Sequence, residues 1–188
     1  MKSVANPQSP DPVKLFVSIL WSDENALDRA IDQLSKKWGE TDFSGRDYPF
    51  DITDYYEPEM GKGLKRRIIS FDRLVTPEII REAKLFCNEI EENLKNNSGR
   101  QVNLDIGYLD HNKVVLASAK AAGQKIYLGD GIYADLIARY AQGKYRPFEW
   151  TFLDFKDGRY DQELGEIRSR YMMQLRSRHE SSVGKIER

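Results

Sequence analysis

A mixed α+β fold is what this sequence predicts, and three observations carry the prediction. "KLFVSILW" (Lys14 to Trp21) is an unbroken apolar run of strand length, which suits a central strand buried on both faces. After it, Leu27, Ala30, Ile31, Leu34 and Trp38 recur at helical spacing. Farther on, "QVNLDIGYL" (Gln101 to Leu109) sets Val102, Leu104 and Ile106 against Asn103, Asp105 and Gly107. That period of two marks a half-buried strand.

The elements follow in order. Residues 1–13 hold three prolines and little that is apolar, so a flexible lead-in is expected. Ser22 offers a helix N-cap, with Asp23 and Glu24 favouring the positive end of the helix dipole. Gly39 stops that helix. Residues 40–56 read as extended, broken near Gly45 and Pro49. "RRIISFDRLV" (Arg66 to Val75) is the next firm strand, and Thr76-Pro77-Glu78 a strong helix start. Ile79, Ala83, Phe86, Ile90 and Leu94 form the inward stripe of the second helix, which "NNSG" ends.

Through residue 109 the order is β-α-β-β-α-β, that of a ferredoxin-like core. A C-terminal extension follows. It opens with a short helix capped by Asp110 and running to about Lys120, and then "QKIYLGDGIYADLIARY". Gly129-Asp130-Gly131 reads as the turn of a β-hairpin; the four-residue spacing of Ile132, Leu136 and Tyr140 keeps a helix over 131–141 open as the alternative. "KYRPFEWTFLDF" is aromatic and extended, and Tyr160, Leu164, Ile167, Tyr171 and Leu175 make a last amphipathic helix. The expected organisation is a single domain over 14–176 (core 14–109, extension 110–176) and a flexible tail over 177–188.

The chain has 188 residues and a net charge of −1. That length buries a core without metals or disulfides, and the charge gives no global field toward nucleic acid. One cysteine, Cys87, allows no internal disulfide and fits a reducing compartment. The start lacks the apolar run of a signal peptide, and no stretch reaches the ~18 apolar residues of a membrane helix. A cytoplasmic protein without a membrane partner is expected. With His111 and His179 the only histidines, Ser-His-Asp and Cys-His catalysis have little material.

Eight phrases taken together are more specific than any one motif. "PVKLFVSIL", "YPFDITDYYEPEMG", "LKRRIISF", "IREAKLFCNEIE", "VNLDIGYL", "KVVLASAK", "IYLGDGIYADLIARY" and "WTFLDF" follow one another over about residues 12–175. In this the chain resembles the bacterial domain of unknown function 4416 (DUF4416) family. The resemblance implies no mechanism. The chain departs from the family's pattern at Ile106 and Leu153, where prolines are expected, and at Asp110, where a threonine is expected.

The chemistry most worth following lies in "DITDYYEPEMGKGLKRR" (Asp51 to Arg67). Asp51, Asp54, Glu57 and Glu59 are near enough in sequence to share a divalent cation, and oxygen ligands suit Mg²⁺. In an extended segment they do not all share a face, so they converge only if the chain turns, as at Pro58. A solvated acidic loop is the plainer reading. Next to them Lys62, Lys65, Arg66 and Arg67, with two glycine amides, could hold a phosphate or another anion; cations merely paired with the nearby acids are the rival. Asn103 and Asp105 share the polar face of their strand beside Gly107 and would floor a pocket for a small polar ligand, with Lys113 or Lys120 delivered from elsewhere. A structural polar network is the alternative there.

Two functions of different class stand open. One is binding of, or action on, a phosphorylated or otherwise anionic small molecule such as a nucleotide, with Mg²⁺ as its companion. The other is a non-enzymatic RNA- or protein-binding module using Tyr133, Arg139, Tyr145, Arg146 and Trp150, or a homodimeric scaffold. No reaction is fixed by the sequence.

Overall fold

The computed structural model describes residues 6–183. Its centre is β1 (Val13–Trp21), buried along its whole length. β1 lies antiparallel between β4 (Lys65–Val75) and β5 (Val102–Leu109). A short β2 (Thr41–Ser44) and the two-residue β3 (Tyr48–Pro49) pair with β4 on its far side. Beyond β5 come β6 (Lys113–Ser118), β8 (Ile132–Ala141) and β7 (Ile126–Gly129), with β9 (Lys144–Pro147) also on β8.

All of these strands join one nine-stranded sheet of order β2-β4-β1-β5-β6-β8-β7. This corrects the expected architecture: the strand order is not that of a four-stranded ferredoxin-like sheet, and strands β6 to β9 continue the sheet edgewise rather than packing on a finished core. The short helix expected after Asp110 is instead β6. Asp110 Oδ1 accepts the amides of Asn112 (2.7 Å) and Lys113 (2.8 Å), closing a tight turn that sends "KVVLAS" back along β5. The β-branched pair Val114-Val115 fits a strand better than a helix. Residues 132–141 are strand, as the hairpin reading held. Asp130 and Gly131 take positive φ in its turn (50° and 74°).

Helices cover both faces. α1 (Glu24–Trp38) and α3 (Ile80–Asn93) bury Leu27, Ala30, Leu34, Ala83, Cys87 and Ile90 against Leu15, Val17, Ile19, Leu104 and Ile106. The cap of α1 is Asp23, whose Oδ1 accepts from Ala26 N at 2.7 Å, not Ser22; the Ser22 hydroxyl donates to Met60 O. On the other face α5 (Asp161–Val183) packs Leu164, Ile167 and Tyr171, with Tyr160 just before it, over Phe16, Ile68, Leu116 and Ile137. α5 continues past Arg176, so 177–183 is helical where a frayed tail was expected. Residues 1–5 and 184–188 lie outside the described residues, and with them part of the expected lead-in and tail. The fully buried Lys14 ties β1 to β2, β4 and α5 through Asp42 (2.6 Å), Phe71 O (2.7 Å) and Gln174 (2.9 Å).

Between β3 and β4 the chain folds back over the sheet. Phe50 N bonds Leu64 O at 2.8 Å, closing the loop at its base. Within it α2 (Glu57–Met60) presses Met60 onto Leu20, flanked by Phe50 and Tyr56. This loop brings "DITDYYEPEMGKG" to the face that carries Asn103 and Asp105. Among the described residues no helix is long and apolar enough to cross a membrane.

Candidate functional site

β5 and β6 pair only from Gly107 to Leu109, and then part. Gly107 stands where the seam opens: a Cβ there would collide with the Val115 carbonyl oxygen and lie 2.7 Å from Leu116, so close approach of the two backbones requires glycine. Past that point Leu104, paired with Ile19 of β1 on one side, has no strand on the β6 side. Its N–H donates to Glu91 Oε1 at 2.7 Å, and its carbonyl accepts from Lys84 Nζ at 2.8 Å. Two charged side chains of α3, buried and 3.5 Å apart, thus do the work of the missing strand, because a buried backbone group left unpaired is costly.

The opened seam is flanked by two adjoining cavities of about 210 and 430 Å³ that meet at Tyr56, Asp105, Lys120 and Phe152. The larger has aromatic walls (Phe50, Tyr55, Tyr56, Phe152) over a charged floor of Arg66, Asp105 and Asp154. Arg66, only 4% exposed, comes from β4; its Nη1 lies 3.2 Å from Asp154, 3.6 Å from Asp105 and 3.2 Å from Ser18 Oγ. Burial alone would weaken the guanidinium's hold on its proton, but Asp154 and Asp105 outweigh it and raise the group above its ordinary range. Asp154 rests on the short α4 (Leu153–Lys156) and accepts from Tyr160 at 3.1 Å. Burial first, and Asp105 second, push the Tyr56 phenol up to about 12, so at neutral pH it stays a protonated donor.

The smaller cavity is rimmed by Arg100, Asn103, Lys125 and Asp135. Arg100 forks onto Glu59 with two 2.8 Å bonds and also reaches Glu91 (3.0 Å) and Asn103 Oδ1 (2.9 Å). The bond to Glu59 is the first cause raising Arg100, and it holds Glu59 below the usual carboxylate range. Lys125 donates to Ser118 at 2.8 Å and lies 3.6 Å from Asp135. Two buried atoms without a hydrogen-bond partner belong to residues of this cavity, Asn103 Nδ2 and Asp135 Oδ1, and a third, Arg66 Nε, to the larger one.

Of the residues expected from sequence, the structure brings Arg66 to the larger cavity and Asn103 to the smaller, with Asp105 and Lys120 lining both. It does not bring in the others. Lys62 is exposed between Gly61 and Gly63, and Lys65 lies over the Trp21 ring. Arg67 points to the opposite face and forks onto Asp47 (2.7 and 2.8 Å). Lys113 is taken by Asp110. The four acids do not converge: Asp51 is exposed and bonded to Arg159 (3.0 Å), Glu59 belongs to Arg100, and Asp54 is exposed in a turn before Glu57. Among the described residues no group of three or more His, Cys, Asp or Glu could hold a metal ion.

Sequence reasoning missed Lys84, Glu91, Arg100, Lys125 and Asp135, and saw Asp154 only as part of an aromatic stretch. One signal was available. Lys84 and Glu91 sit within the apolar stripe of their helix, among Ala83, Cys87, Ile90 and Leu94, and charges in an inward stripe demand partners.

No curated protein and no solved structure matches this chain. A family model does match residues 11–171, nearly the whole of the folded region just described. The chain therefore belongs to the family described as Domain of unknown function (DUF4416).

Proposed function

We propose that the seam cleft binds a small phosphorylated or otherwise anionic molecule with a planar ring, such as a nucleotide. The observation that carries this reading is the pairing of an aromatic-walled cavity of about 430 Å³ with the buried, partly unpartnered Arg66 beside Asp105 at its floor. Ligand sites are commonly concave, apolar-walled and supplied with a few convergent polar groups. The aromatic walls suit a ring. The exposed Lys120, 3.0 Å from the Tyr55 hydroxyl, is placed to meet an anionic group at the mouth. Mg²⁺ enters only as a companion of the ligand's phosphate.

The exposed Tyr55, Phe152 and Leu153 around this mouth favour a second reading, an RNA- or protein-binding surface.

A thermal-shift screen against nucleotides, sugar phosphates and short RNA, with and without Mg²⁺, separates the two. A ligand at ~100 times its dissociation constant adds about 2.7 kcal/mol of stability. The cleft reading expects a small phosphate to raise the midpoint and Lys120→Ala to weaken that shift. A response to RNA alone that fades steeply with salt selects the second reading. A response to nothing, from a chain that sediments as a dimer, leaves the scaffold.

A further inference from the structure

Asn103 and Asp105, two residues apart on one strand and on one face, present complementary hydrogen-bonding atoms to the cleft. The amide orientation of Asn103 is forced. Arg100 has only donors to offer, so the Asn103 oxygen must face it at 2.9 Å, and the Nδ2 donor is left buried without a partner. Asp105 can only accept. Its nearest cation, Arg66 Nη1, is 3.6 Å away, too long for a hydrogen bond, and it lines both cavities. Across the smaller cavity Asp135, 3% exposed, holds a second acceptor without a partner. Meanwhile the inner cations of that cavity are engaged, Arg100 by Glu59 and Glu91, Lys84 by Leu104 O and Lys125 by Ser118, and the exposed Lys120 lies beside Tyr55 where the two cavities meet. Apart from Arg66 Nε in the adjoining cavity, the buried unpartnered atoms here are the Asn103 donor and a carboxylate acceptor, with Asp105 beside them.

From this we infer that the inner end of the cleft reads a ring edge carrying an exocyclic amino donor next to a ring-nitrogen acceptor, that is, an amino-substituted heterocycle rather than its oxo or unsubstituted analogue. Asp105 accepts from the exocyclic amino N–H, and Asn103 Nδ2 donates to the adjacent ring nitrogen; an oxo group in place of the amino group would set oxygen against the Asp105 carboxylate and a ring N–H against the Asn103 donor. The inference rests on the cleft reading above and names the ligand class of the same site. A site whose buried groups are left unpaired by the wrong analogue discriminates strongly.

The test is calorimetric titration of the full chain with matched monophosphates: cytidine against uridine, and guanosine against inosine. The amino member of at least one pair should bind about tenfold tighter or more, and Asp105→Asn should remove that preference. N4,N4-dimethylcytidine monophosphate deletes the donor from the ligand instead, so the test stands even if the variant folds poorly; it should bind like the uridine compound. Equal binding within both pairs, or dimethylation without effect, overturns the inference and leaves the cleft reading intact. So does binding of sugar phosphates with no nucleotide bound. Failure of every phosphate to bind overturns both.

Discussion

The backbone N–H of Leu104 donates to Glu91 Oε1 at 2.7 Å where a neighbouring strand would otherwise accept it. This one relationship explains how a sheet can open in its interior without exposing an unpaired backbone, and it places a charged helix residue at the back of the cleft. Glu91→Ala removes the acceptor for Leu104 and a partner of both Lys84 and Arg100. It should cost about 3–5 kcal/mol, the range for stripping one member from a buried charged set. Glu92→Ala, one residue on and exposed, should change stability by less than ~0.5 kcal/mol. Urea unfolding measures both, and amide exchange at Leu104 should accelerate in the first variant only.

Gly107 makes the parting of β5 and β6 sterically feasible. Gly107→Ala forces a methyl group against the Val115 carbonyl and Leu116, and overpacking of this kind costs about 1–3 kcal/mol. Gly123, with nothing within 4 Å of a Cβ, is the control: its alanine variant should unfold within ~0.5 kcal/mol of the parent. Equal midpoints for the two variants would contradict the close-approach argument.

Arg66 and Asp154, both about 4% exposed and 3.2 Å apart, should be strongly coupled. Arg66→Met alone leaves Asp154 buried with Tyr160 as its remaining partner, a loss of about 3–5 kcal/mol. Arg66→Met combined with Asp154→Leu should recover part of that loss, giving a coupling of about 1–3 kcal/mol in a double-mutant cycle. Strict additivity would show that the pair does not act as one unit.

Stability should fall at alkaline pH. Burial pushes Cys87 from 9.0 up to about 12, and Tyr56 and Tyr171 from 10.0 up to about 12. Because the folded values lie above the unfolded ones, these groups contribute fully below about pH 9. That contribution is lost progressively as pH rises toward 12. A melting midpoint that is flat to pH 8.5 and then declines is expected. The Cys87 thiol, fully buried, should react with a thiol reagent at pH 8 only as fast as the protein unfolds; rapid labelling of the native chain would contradict its burial.

Local patterns carried much of the fold. The apolar run of β1, the alternation of β5 and the stripes of α1, α3 and α5 were legible because burial on one face imposes a period of 2 or 3.6 residues. The segment after Asp110 was misread because six residues are too few for a period to distinguish strand from helix; the Asp110 side chain, which caps a helix in one context, closes a hairpin in this one. For the site, Asn103 and Asp105 were readable from the alternation of their strand, and Arg66 from its position beside the acidic loop. The loop's own carboxylates were misleading because arginines distant in sequence, Arg159 and Arg100, claim Asp51 and Glu59.

By itself the sequence determined which residues form β1, β5 and the three long helices, and that one strand carries an amide and a carboxylate on its polar face. These follow from local periodicity, which depends on nothing farther away than a turn or two. Tertiary structure alone decided that nine strands share one sheet, that the sheet splits beyond Gly107, and that Lys84 and Glu91 close the split. It also decided which carboxylates meet which arginines. Pairing between strands and between charges separated by scores of residues is fixed by the packing of whole layers, and no local pattern encodes it.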